Sequence, residues 1–230
     1  MTDNLKKLVI GTAQFGQDYG ITNTRGKVPK NEVFEILSKA RLHDIKTLDT
    51  ARSYGESEFV LGIAGTDGFD IITKLPSLDM SSLNIEHFID QSIKISLSNL
   101  KTPSVDTLLL HRPDELLEVN GNLIYQSLVK LKEAGLVKKI GISIYSPEIL
   151  EDIVSKYTID VVQAPLNIFD RRIISSGWLY KLADKDISII ARSVFLQGIL
   201  LTDHVDLPIY FHKWKFHFKK WINFLRENSL

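Results

Sequence analysis

Seven short apolar runs alternate with stretches whose apolar residues recur at helical spacing, and this alternation constrains the fold more than any other feature of the chain. The runs are Leu8–Ala13, Lys46–Asp49, Asp70–Lys74, Val105–Leu110, Lys139–Ser143, Asp160–Ala164 and Ile187–Arg192. They are continuous rather than alternating, as in strands covered on both faces, so they predict a parallel sheet under helices. Between them, Val33, Ile36, Leu37 and Ala40 mark one helical face, and Ile85, Phe88, Ile89, Ile93 and Leu97 mark another. Gly65 and Gly135 follow helices as stop signals. Gln14 to Gly20 reads as a glycine-punctuated loop. The repeat count exceeds that of most doubly wound sheets and is one short of a (β/α)8 barrel. No low-complexity linker divides the chain, so residues 1–230 are expected to form one domain.

Composition excludes several classes of function. The 230 residues carry a formal net charge of zero, which gives no electrostatic case for nucleic acid or an acidic membrane surface. There is no cysteine, hence no disulfide and no thiolate metal site. No stretch offers the ~20 consecutive apolar residues of a membrane-spanning helix. The N-terminus lacks the apolar run of a signal peptide. A cytoplasmic protein is expected.

The chemistry gathers where the strands end. Asp49 closes the second run, and Tyr54 follows five residues later in Asp49-Thr50-Ala51-Arg52-Ser53-Tyr54-Gly55-Glu56-Ser57-Glu58. Lys74 closes the third run and His111 follows the fourth. In a parallel α/β fold these ends face one way, and ligands bind there. Each residue alone has a plain structural role: a turn aspartate, a solvated lysine, a packed histidine, a half-buried aromatic. Four chemical types in order at three consecutive strand ends point instead to a catalytic constellation.

These motifs resemble the aldo-keto reductase family. The resemblance rests on Asp49 to Glu58, on Lys74, on His111 in Leu-Leu-His-Arg-Pro-Asp, on Ile140-Gly141-Ile142-Ser143, and on Gln163 with Asn167. It implies a TIM (β/α)8-type barrel that reduces aldehydes or ketones with NADPH or NADH. Tyr54 would then be the general acid. A phenol titrates near pH 10, and a neighbouring ammonium lowers that value; Lys74 would serve so, held charged by Asp49. His111 would hydrogen-bond the carbonyl oxygen. Ser143 and Gln163 would hold the nicotinamide carboxamide, Arg192 would stack on its ring, and Ser193 and Gly198 would approach the pyrophosphate. Gln14, Tyr19, Asp114 and Asn167 are candidates for lining the substrate pocket. The stretch Ala191 to Gly198 resembles a bacterial branch associated with surface polysaccharides, which suggests a sugar-derived carbonyl.

The chain departs from the family pattern at Ile144, where members often have Asn, and at Arg192, where many have an aromatic. It also stops at Leu230, soon after a helix carrying Trp214, Phe218, Trp221, Ile222 and Leu225. Seven βα units and an incomplete C-terminal end are therefore expected. Strands one and seven would be open edges, answered by a partner chain, by closure with seven strands, or by fraying. Loss of the adenosine-binding segment would weaken NADPH binding.

Three other readings compete. The aromatic and basic stretch Tyr210 to Trp221 could bind membranes or nucleic acid, but its spacing fits a covering helix with Trp214, Phe218, Trp221 and Leu225 inward. A metal-dependent hydrolase would need several histidines at strand ends, and only His111 is there. The remaining alternative is a non-catalytic scaffold that keeps the quartet without using the cofactor.

Overall fold

The computed structural model describes residues 7–78, 84–202 and 208–228. The order of elements is β1 (Val9–Gly11), α1 (Ala13–Gly16), α2 (Lys30–Leu42), β2 (Thr47–Asp49), α3 (Ser57–Ala64), β3 (Asp70–Leu75), α4 (Ile85–Leu100) and β4 (Val105–Leu110). Then follow α5 (Gly121–Glu133), β5 (Val137–Ser143), α6 (Leu150–Lys156), β6 (Val161–Pro165), α7 (Arg172–Ser175), α8 (Trp178–Ala183), β7 (Ser188–Arg192) and α9 (Lys215–Glu227). His204 and the terminal Ser229-Leu230 lie outside the described residues.

All seven strands are parallel and neighbour one another in chain order. They form the curled sheet of a TIM-type α/β fold with seven βα units. Among the described residues β1 pairs only with β2, and β7 only with β6. No helix of the described residues is long and apolar enough to cross a membrane.

Two apolar layers flank the sheet. The larger lies between strands and helices and includes Leu37, Leu48, Leu61, Ile93, Leu108, Leu128, Ile142, Ile153 and Leu182. The smaller consists of strand residues alone: Ile72, Leu109 and Val161, with Val9 and Ile190 packed against them. Those five face away from the helices, into the concave side of the sheet.

Local sequence explains the helix boundaries. Asn84 caps α4 by accepting a hydrogen bond from the His87 N–H at 3.0 Å. Gly65 follows α3 with φ +86°, a conformation that glycine adopts without a Cβ penalty. Two expectations need correction. Part of the supposed loop after β1 is the short helix α1, whose Gln17 N–H closes on the Ala13 carbonyl at 3.1 Å. The last helix buries only Phe218 fully, while Trp221 and Leu225 are half-buried and Trp214 is exposed. The reason is its support: Phe218 and Trp221 pack on Leu196, Ile199, Leu200 and Phe211, not on the sheet. The Trp221 indole N–H also donates to the Leu200 carbonyl at 3.1 Å.

Candidate active site

The interior apolar layer measures out the site. Side chains two residues apart on a strand share a face. Beyond Ile72, Leu109, Val161 and Ile190 come Lys74, His111, Gln163 and Arg192 in turn. Strand pairing extends the set, because Asp49 lies opposite Ile72, and Ser143 opposite Gln163. A polar rim thus caps an apolar floor at the C-terminal ends of the strands.

Within the rim the polar groups are bonded to one another. Lys74, 1% exposed, donates to Asp49 Oδ1 at 2.6 Å and to the Thr50 carbonyl at 2.9 Å. Gln163 Nε2 donates to the same Oδ1 at 3.1 Å, and the Ser143 hydroxyl donates to Gln163 Oε1 at 3.0 Å. The chain of contacts joins β3, β2, β6 and β5.

Tyr54 stands over this network on a tight turn. Its N–H donates to the Ala51 carbonyl, and its own carbonyl accepts from Ser57, both at 3.1 Å. The Ser57 hydroxyl fixes the turn by donating to the Thr12 carbonyl at 2.9 Å and accepting from Thr50 at 3.0 Å. Gly16 is required beneath it: a Cβ there would lie 1.8 Å from the Tyr54 carbonyl oxygen. Glu58, buried on α3, accepts from Thr73 of β3 at 2.7 Å and ties the helix to the neighbouring strand. The Lys74 ammonium lies 5.0 Å from the Tyr54 ring centroid. The rings of Tyr54 and His111 meet edge-on at 6.1 Å. His111 Nδ1 lies 3.2 Å from the Ser53 hydroxyl.

The electrostatics differ from the simplest expectation. Burial, then the Asp49 carboxylate, push the Tyr54 phenol above its ordinary value, while the Arg192 guanidinium pulls it down. The anticipated lowering by Lys74 does not prevail, because that ammonium is already matched by Asp49 at 2.6 Å. Burial lowers Lys74 against the opposing attraction of Asp49. Burial, Lys74 and Arg192 together lower His111, which favours its neutral form.

The structure therefore brings Asp49, Tyr54, Lys74 and His111 together, with Ser143 and Gln163 adjoining. Arg192 reaches across the end of β6: it donates to the Ile144 carbonyl at 2.9 Å and stacks on the Tyr145 ring at 4.4 Å. Ser193 and Gly198 lie in the segment after β7, apart from the quartet. Ser193 has φ +58°, and its carbonyl accepts from Asn167 Nδ2 at 3.1 Å. Gly198 has φ +93° and packs so closely on Thr22 that a Cβ would meet its hydroxyl oxygen at 2.0 Å. Of the lining candidates, Gln14 bonds back to the Tyr19 carbonyl and Asp114 pairs with Arg112, each at 2.8 Å. Asn167 closes its own turn by accepting from Phe169 and Asp170. Ser53 and Tyr145 escaped the sequence reading. Ser53 directly precedes Tyr54, and Tyr145 lies two residues beyond Ser143, on an exposed loop that no pattern distinguishes.

Comparison with known proteins agrees with this geometry. The profile of the Aldo/keto reductase family matches residues 7–227. The chain belongs to that family of oxidoreductases. It is 28% identical to the uncharacterized oxidoreductase YqkF of Bacillus subtilis, over 88% of this chain and 69% of that protein. It is 29% identical to the 6-dehydroglucose reductase of Agrobacterium fabrum, over 69% of this chain and 59% of that one. In fold it is similar to the holo form of the aldo-keto reductase AKR11C1 from Bacillus halodurans. That match has a TM-score of 0.70 at 20% identity and covers 88% of this chain and 66% of the other.

Proposed function

We propose that the chain reduces an aldehyde or ketone to an alcohol, with Tyr54 as general acid and NADPH or NADH as the hydride source. The observation that carries this reading is the Lys74–Asp49 pair at 2.6 Å, with Lys74 buried, set beside the half-buried Tyr54 phenol with His111 edge-on to it. Charge develops on the carbonyl oxygen as the carbon is reduced, so an acid must deliver a proton there. Tyr54 holds that proton at neutral pH because burial and Asp49 raise it. Lys74, kept in place by Asp49 and Thr50, stabilises the phenolate that remains. Neutral His111 can donate a hydrogen bond to the substrate oxygen and orient it.

The residues present fit a nicotinamide cofactor. The Ser143 hydroxyl and Gln163 carboxamide, 3.0 Å apart, provide the donor and acceptor that another carboxamide requires. When bound, the cofactor supplies the hydride. Ser143 and Gln163 would hold the ring amide beside the acid, and Ser193 and Gly198 would border the rest. The substrate is a small carbonyl compound; the likeness to a 6-dehydroglucose reductase favours a sugar-derived one.

Tyr54→Phe tests the assignment. Reductase turnover should fall by at least 100-fold while NADPH, titrated by tryptophan fluorescence, binds as before. Full turnover in the variant would remove Tyr54 from the acid's role. No turnover by the parent chain across varied aldehydes would favour a scaffold instead.

A further inference from the structure

The Arg192 guanidinium carries a charge that no carboxylate among the described residues meets in an ion pair, though the Asp170 carboxylate lies close enough to feel it. It lies on the concave face of the sheet, two residues beyond Ile190 of the apolar floor. It is fixed from two sides: Nη2 donates to the Ile144 carbonyl at 2.9 Å, and its plane lies over Tyr145. Nη1 has only a long 3.4 Å contact with the Ser193 hydroxyl, and Nε is buried without a partner. The carboxylates nearby are committed elsewhere. Asp49 is paired with Lys74 at 2.6 Å. Asp170 is held in a two-pronged grip by Arg172, at 3.0 and 2.8 Å. Among the described residues Arg192 forms no salt bridge.

A half-buried guanidinium held rigidly without a counter-charge costs free energy unless an anion completes it. Two parallel N–H groups suit a carboxylate better than any neutral group. The distance to the reaction centre is short enough for Arg192 to act electrostatically on Tyr54, Lys74 and His111.

Building on the carbonyl-reductase reading, we infer that Arg192, oriented by Ile144 and Tyr145, is a specificity residue that binds the carboxylate of an anionic carbonyl substrate. The preferred substrates are then aldehydes or ketones bearing a carboxylate near the carbonyl, such as oxidised sugars that retain an acid group. The same oxyanion chemistry could come from a cofactor phosphate, and the test separates the two.

The test compares 4-carboxybenzaldehyde with its neutral methyl ester, at saturating NADPH, as a ratio of kcat/KM values. The parent chain should prefer the acid at least tenfold. Arg192→Gln should lower that ratio at least tenfold, Arg192→Lys less, and Tyr145→Ala, which removes the stacking surface, should lower it as well. An unchanged ratio in Arg192→Gln overturns the inference, and so does a variant that weakens NADPH binding while keeping the preference. Should neither aldehyde turn over, the screen of varied aldehydes decides the reductase reading, and titration of the parent chain with benzoate decides the anion site by itself. Benzoate binding lost in Arg192→Gln supports the site; equal binding in both proteins refutes it.

Discussion

Gln163 donates to Asp49 Oδ1 at 3.1 Å, joining β6 to β2 across the concave side of the sheet although the two residues are 114 positions apart in the chain. The same oxygen accepts from Lys74, so the residue expected to hold the cofactor amide is wired to the pair beside Tyr54, the proposed acid. Replacing Gln163 with Leu leaves Ser143 and Asp49 each short of a buried partner. Unfolding in urea should show a loss of about 1–3 kcal/mol, the ordinary penalty for orphaned buried polar groups.

Lys74→Met strands the Asp49 carboxylate beneath the rim. Breaking a buried pair from one side costs about 3–5 kcal/mol when both ions are fully enclosed. Asp49 keeps 14% side-chain exposure, so the lower end is expected. The double variant Asp49→Leu, Lys74→Met should recover part of the loss, and thermal unfolding of the three proteins would reveal it. Activity should be absent in both variants.

His111 supplies a pH signature on the acid side. Its folded-state value is lowered, chiefly by burial, so the unfolded chain takes up the proton first. The stabilising contribution is complete above about pH 6.5, the ordinary histidine value, and is lost as pH falls through the folded-state value. His111→Gln should flatten the slope of unfolding free energy against pH below 6.5. An unaltered slope would mean that another group sets it.

Tyr54 supplies the corresponding signature on the alkaline side. Burial raises its phenol, so folding retains the proton that the unfolded chain gives up near pH 10. The stability it contributes is present below that pH and lost as pH rises through the folded-state value. Ultraviolet titration should show one tyrosine ionising later than the rest, and Tyr54→Phe should remove that late phase. Over pH 7–9 Tyr54 stays protonated, so if it is the acid, as proposed, the rate of reduction should not fall from its ionisation.

Gly16→Ala probes the scaffold. The added Cβ would press on backbone at Tyr54 and Ser57, at 1.8 and 2.3 Å, where no side-chain rotation gives relief. The turn carrying Tyr54 must move. We expect a destabilised protein, about 1–3 kcal/mol as for other overpacked sites, with turnover reduced further than the stability loss explains. Normal kinetics in the folded variant would show that the turn tolerates displacement.

Much of this architecture was legible from the residues. The seven runs become β1 to β7 with small changes at their ends, since continuous apolar runs have one comfortable environment, a doubly covered strand. The quartet could be placed because strand ends of a parallel sheet face one way. What escaped was direction. Trp214 has helical spacing with Phe218 yet is exposed, because its helix leans on the Leu196–Leu201 segment. The contact of Arg192 with Tyr145 was not foreseen, because Tyr145 is a loop residue with no periodic signal. The bond between Ser143 and Gln163 depends on strand register, which an unaligned sequence does not carry.

The two-residue step from apolar floor to polar rim acts as a ruler shared by several strands. Inserting or deleting one residue inside β3 or β6 would reverse which side chains face inward beyond that point, sending Lys74 or Gln163 toward the helices and an apolar neighbour toward the mouth. Changes of length are therefore tolerated better in the loops, while the strands admit exchange of one side chain for another. Substitution at rim positions such as Arg192 leaves that spacing intact, whereas a change of strand length does not.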